Sequence, residues 1–155
     1  MDPESPLLFA YLLLKAAAYC AWCWAGVCTF RPERASKLGL GIALGLLRLL
    51  LGLGFGVGIW LAGSFVFERL ATTDALGNRA AMALTYLAVY VPVRWIEWGI
   101  LETIMFTGER DFTTVLGGSG ARGVRWRFGG IAISCLADLP LMLAMGGIPV
   151  GRFMC

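Results

Sequence analysis

The chain has no histidine among its 155 residues. Ser/His and Cys/His nucleophile systems therefore lack their base, and zinc and haem sites lose their commonest ligand. Charge is scarce as well. Only 15% of the residues are Asp, Glu, Lys or Arg, against about 25% in soluble domains. No dense block of one sign occurs: the net charge of +3 comes from scattered arginines, which leaves nucleic-acid binding unsupported and makes anionic lipid the natural counter-charge. The glycines of residues 117–123 are not followed by Gly-Lys-Ser/Thr, so they do not form a nucleotide P-loop. A signal peptide would carry a basic segment ahead of its apolar part, and the N-terminus reads Met-Asp-Pro-Glu-Ser instead.

What is present is apolar sequence in long runs, with 59% of residues hydrophobic. Four runs, residues 6–30, 38–67, 81–106 and 129–150, each exceed the roughly 20 residues that cross a hydrocarbon core. The connections are short. The expected fold is all-α: a polytopic integral membrane protein, one four-transmembrane-helix bundle with short loops, occupying residues 1–155 as a single domain. Pro92 should kink the third helix and free carbonyls about one turn earlier. In the arrangement with the N-terminus outside, seven basic residues lie inside (Arg31, Arg34, Lys37, Arg110, Arg122, Arg125, Arg127) and three outside (Arg69, Arg79, Arg152). The positive-inside rule then predicts both termini outside, in a membrane of the prokaryotic cytoplasmic type.

Ionised groups inside those runs are the leading site candidates, because each costs at least about 2.5 kcal/mol at a helix centre and persists only when paired, hydrated or used. They are Lys15, Arg48, Arg94, Glu97, Glu102 and Asp138, three cations against three anions. Arg94 and Glu97 share a face at i, i+3; depth suggests Arg48 with Glu102 and Lys15 with Asp138. Trp95 and Trp98 beside them are candidate cavity walls with cation–π contacts to Arg94 or Lys15. Such a network reads either as structural pairing or as a polar cavity for an ion, a proton or a head group.

Three further patterns qualify this picture. The second run carries Gly41/Gly45, Gly52/Gly56 and Gly54/Gly58, four apart; these grooves admit a neighbouring backbone, and the last two pairs point to roughly opposite faces. Arg122, Arg125, Trp126 and Arg127 interleave arginine and aromatic residues as a lipid head-group anchor does. Cys20 and Cys23 form C-x-x-C, but in mid-helix, without the helix N-terminus or cations that lower a thiol pKa, so small apolar packing is the expected role. A metal or disulfide link to Cys135 is the alternative, and Cys155 is a terminal leftover.

The sequence specifies no cofactor, no metal site and no catalytic group. The function it points to first is transport or binding of a small charged solute, proton or lipid head group by a homo-oligomer among membrane lipids. The alternative is a structural or accessory subunit of a larger membrane complex, with charges that pair with partner subunits. A lipid-modifying enzyme using Glu97, Glu102 or Asp138 as acid or base ranks last, because no nucleophile accompanies them.

Overall fold

The computed structural model describes residues 4–33, 35–71, 75–106 and 112–144. Arg34, Asp74, Arg110, Arg152, Cys155 and the expected end of the last helix, residues 145–150, lie outside them. The described residues are all-helical: α1 (Glu4–Phe30), α2 (Lys37–Leu70), α3 (Ala75–Thr85), a π turn (Tyr86–Tyr90), α4 (Val91–Phe106), the short α5 (Phe112–Gly117) and α6 (Ala121–Ala144). Two helices are long and apolar enough to cross a membrane, the Phe9–Phe30 part of α1 and Lys37–Leu70.

Each long helix buries one stripe at helical spacing. On α1 it is Tyr11, Lys15, Tyr19, Cys23 and Val27. On α2 it is Gly41, Leu44, Gly45, Arg48, Gly52, Gly56, Ile59 and Gly63. Apart from the adjacent Leu44 and Gly45, successive members are three or four apart, so they lie on one face. The α1–α2 hairpin is antiparallel, with Cys20 opposite Gly45 and Trp24 opposite Gly41. A Cβ at Gly45 would sit 2.5 Å from the Cys20 Cα, and one at Gly41 would sit 2.6 Å from the Trp24 Cα. Only glycine lets the two backbones come this close. The expectation that α2 packs on both faces meets a different result within this chain: around Gly54 and Gly58 a Cβ would find nothing within 4 Å.

From Ala75 to Phe106 the chain is one helical run with a π turn inserted at Tyr86–Tyr90. Pro92 has no N–H for the carbonyl four residues earlier, and the wider turn absorbs that mismatch. It buries Tyr86, Val89 and Tyr90, with the rings of Tyr86 and Tyr90 stacked at 5.1 Å. The last helix starts at Ala121, about two turns before the expected Gly129, and takes the arginine–aromatic stretch into its first turns. Gly129 faces Trp22 on α1 and Gly130 faces Trp98 on α4, so α6 lies between those helices.

The distribution of polarity is inverted relative to soluble proteins, where charged residues are almost never fully buried unless paired. Lys15, Arg48, Arg94, Glu97, Glu102, Arg127 and Asp138 are all buried, while Leu50, Phe55, Leu61, Phe65, Leu87, Leu136 and Leu143 are exposed.

The contrast between glycines gives a first prediction. Gly45→Leu is expected to cost at least the roughly 1–3 kcal/mol of overpacking, because the obstructing atoms are backbone, whereas Gly54→Leu leaves the folded chain intact. Thermal unfolding of the purified variants measures this, and equal melting temperatures would refute it.

Candidate functional site

Three nodes of buried charge run along the interior, and they differ in how completely their atoms are satisfied. The first surrounds Asp138 on α6. Its Oδ1 accepts from the Tyr11 hydroxyl at 2.7 Å and lies 2.8 Å from Lys15 Nζ. Its Oδ2 accepts from Arg94 Nη2 and from the Tyr86 hydroxyl at 3.4 Å. Arg94 also donates through Nη1 to the Tyr86 oxygen and, at 3.3 Å, to Cys135 Sγ. Two cations and two hydroxyls thus converge on one carboxylate, drawing together α1, the π turn, α4 and α6.

The second node is at the other end of α4. Glu102 Oε2 accepts from Arg127 Nε, and its Oε1 accepts from the Ser119 hydroxyl and from the Ser119 amide, the latter at 2.7 Å. Gly118 and Gly120 flank that serine with φ of +85° and +89°, a region where glycine has no steric penalty. They turn the Ser119 amide inward. Arg127 Nη1 donates to the Val115 carbonyl at 2.6 Å, and Trp95 Nε1 donates to the Leu116 carbonyl at 2.8 Å. The Arg127 guanidinium stands 5.0 Å from the Trp95 ring centre. The node clamps the segment after α5 onto α4 and α6.

Between them lies the third node, Arg48 on α2 with Glu97 on α4. Arg48 Nη2 is 2.5 Å from Glu97 Oε2. The guanidinium lies 5.0 Å from the Tyr19 ring centre and 5.4 Å from that of Trp98, and these two rings meet edge to face at 5.7 Å. Trp98 is held by its own donation to Ser134 Oγ at 3.2 Å. This node is incompletely satisfied: Arg48 Nε and Nη1, Glu97 Oε1 and the Tyr19 hydroxyl are buried without a hydrogen-bond partner.

All six charged candidates from the sequence therefore face inward, and two of the three cations have partners other than those expected. Arg48 meets Glu97, not Glu102. Arg94 meets Asp138, not its i+3 neighbour Glu97. Lys15 does meet Asp138. The cation–π partners are likewise Arg48 for Trp98 and Arg127 for Trp95. The expected head-group anchor divides: Arg122 and Arg125 are exposed, whereas Trp126 is 6% and Arg127 0% exposed. The missed residue is Arg127. Gly123, Arg127, Gly130, Ser134 and Asp138 recur at helical spacing, and that small-and-polar stripe leading back from Asp138 is the signal that marks Arg127 as interior.

The described cysteines Cys20, Cys23, Cys28 and Cys135 are free thiols. Cys20 Sγ points to the Ile42 carbonyl at 3.7 Å and Cys135 to Tyr86 and Arg94, so the conceived link between them is not formed. Among the described residues no group of three or more His, Cys, Asp or Glu is arranged to hold a metal ion. No protein-family model, curated protein or solved structure matches this chain.

The satisfied nodes behave as braces. Arg127→Leu leaves Glu102 buried with no cation and is expected to destabilise the fold by about 3–5 kcal/mol. Combining it with Glu102→Gln, which keeps an acceptor for Ser119, should recover more than half of that loss. Denaturant unfolding in mild detergent measures both; an undiminished Arg127→Leu midpoint would overturn the assignment.

Proposed function

We propose that this chain is an integral membrane protein with four membrane-spanning helical runs, and that it binds and moves a small charged solute through its interior at the Arg48–Glu97 node. The inverted polarity supports the membrane reading. Ion pairs are buried among the apolar core residues and many large apolar side chains cover the outside, an arrangement that water would penalise and lipid favours. At 1.5 Å per residue α2 is about 51 Å long, so it tilts or continues beyond a hydrocarbon core of about 30 Å. The excess of arginine and lysine around the α1–α2 turn (Arg31, Arg34, Lys37) and in the sequence between α4 and the exposed start of α6 (Arg110, Arg122, Arg125) supports both termini outside.

The observation that carries the solute-handling reading is the set of unpartnered atoms at Arg48, Glu97 and Tyr19. Buried polar groups are nearly always hydrogen-bonded, and leaving one unpaired costs about 1–3 kcal/mol. Asp138 and Glu102 have their lone pairs occupied by cations and hydroxyls and are fitted for holding helices together. Arg48 and Glu97 keep free valences inside the same interior, and a passing solute or its water would occupy them. The lipid-modifying reading loses ground for the same reason, since two of its three candidate acids are locked by basic partners.

The accessory-subunit reading rests on a separate observation, the open outer face of α2, where Gly54 and Gly58 adjoin the exposed Leu50, Leu53, Val57 and Leu61. Native mass spectrometry of the assembly from its own membrane distinguishes the two. Stoichiometric foreign polypeptides would favour that second reading.

Glu97→Gln is the direct test of solute handling, because glutamine retains an oxygen for Arg48 while removing the charge. In proteoliposomes with imposed chloride, sodium or proton gradients, the variant is expected to change flux about tenfold or more, the equivalent of about 1.4 kcal/mol. Wild-type protein that moves none of these ions, or a variant indistinguishable from it, would sink the proposal.

A further inference from the structure

The buried charges do not balance. Among the described residues, with Arg127 drawn into the interior, four buried cations (Lys15, Arg48, Arg94, Arg127) stand against three anions (Glu97, Glu102, Asp138). Arg127 and Glu102 neutralise each other at their own node. Lys15 and Arg94 share the single carboxylate of Asp138, and Arg48 takes that of Glu97. The central group therefore holds one positive charge too many. It behaves as one field, since Glu97 lies within electrostatic reach of Arg48, Arg94 and Lys15 together. An uncompensated charge in a low-dielectric interior is strongly disfavoured. A mobile counter-ion relieves it.

The free hydrogen-bonding capacity has the same sign. Three buried atoms that can donate, Arg48 Nε, Arg48 Nη1 and the Tyr19 oxygen, are without partners, against one that only accepts, Glu97 Oε1. An occupant that satisfies this set must accept more hydrogen bonds than it gives. Tyr19 and Trp98 close in on the guanidinium from their ring faces, so the occupant is small. One turn along α2 from Arg48, Leu44 forms part of the wall of a cavity of about 480 Å³ that also touches Arg31, Ser36, Leu40, Ile104 and Met105. Arg31 lines the same cavity beside the α1–α2 turn, with Glu33 as its ion-pair partner at 3.9 Å.

We infer that the corner formed by Arg48 and Tyr19 is a binding site for a small monovalent anion of the halide class, with Glu97 as the negative group that tunes its hold. This deepens the solute-handling reading above and rests on it: the solute is an anion, and Glu97 repels it while fixing Arg48. Chloride is the probe. Its affinity for the full chain in lipid nanodiscs can be read from the broadening of the chloride NMR line on titration.

Three variants decide the matter. Glu97→Gln removes the repelling charge and should tighten chloride binding about tenfold, as loss of a unit charge a few ångströms away would in a partly buried site. Tyr19→Phe deletes one donor with the ring kept and should weaken binding severalfold. R48Q/E97Q, in which neither partner is left as an unpaired buried charge, should abolish it, with the melting temperature measured alongside to establish folding. Absence of chloride binding in the wild type, weaker binding in Glu97→Gln, or undiminished binding in folded R48Q/E97Q would each overturn the anion assignment. If chloride fails to bind but proteoliposomes still move sodium or protons in a manner that Glu97→Gln changes, the anion site falls and solute handling stands. If no ion moves at all, both fall.

Discussion

Asp138 accepts from Tyr11 and pairs with Lys15 on α1, and accepts from Arg94 on α4 and from Tyr86 in the π turn, and the rest of the structure depends on that convergence. A buried carboxylate needs its lone pairs filled by charge or by hydroxyls, and four groups from two other helical runs do so here. For these groups to meet, the helices carrying them must be held at set depths and rotations. The Asp138 node therefore specifies which face each helix turns inward. It does so more strongly than hydrophobic contact would, because burial of apolar surface is non-directional.

Several otherwise odd features follow from this demand. The π turn before Pro92 widens the helix where Tyr86 must reach both Arg94 and Asp138. Gly41 and Gly45 let α2 approach α1 closely enough for Arg48 to lie over the Tyr19 ring. Gly130 makes room for Trp98, which in turn walls Arg48. Gly118 and Gly120 turn a serine amide onto Glu102. In each case a small residue or a backbone irregularity is used to complete the coordination of a buried charge.

The all-helical fold and the inward-facing charges were legible because both depend on pattern alone. Long apolar runs can only be helices at this length, and Lys15, Arg48, Arg94, Glu97, Glu102 and Asp138 stand out in them. The partners were not legible. Pairing depends on helix rotation and depth, which a residue's position in its own run does not fix, so Arg48 was matched with Glu102 although Glu97 is its neighbour. Arg127 was hidden for another reason. Arginine interleaved with aromatic residues has the composition of an interfacial anchor, and only the stripe Gly123, Arg127, Gly130, Ser134, Asp138 distinguishes a helix face from a loop.

Placing Arg127 inside changes what the remaining charges can mean. While six groups balanced three against three, a purely structural network accounted for all of them. With Glu102 taken by Arg127, the centre of the chain carries three cations for two carboxylates. The surplus sits in the group that holds the unfilled donors Arg48 Nε, Arg48 Nη1 and Lys15 Nζ. A fold under selection for rigidity alone has a simpler course, which is to replace Arg48 and Glu97 by apolar residues of similar volume; that exchange is often neutral or stabilising for a buried pair. The Arg48–Glu97 pair, with Arg48 Nε and Nη1 and Glu97 Oε1 unfilled, stands between the Asp138 and Glu102 nodes, which join the helices on either side of it.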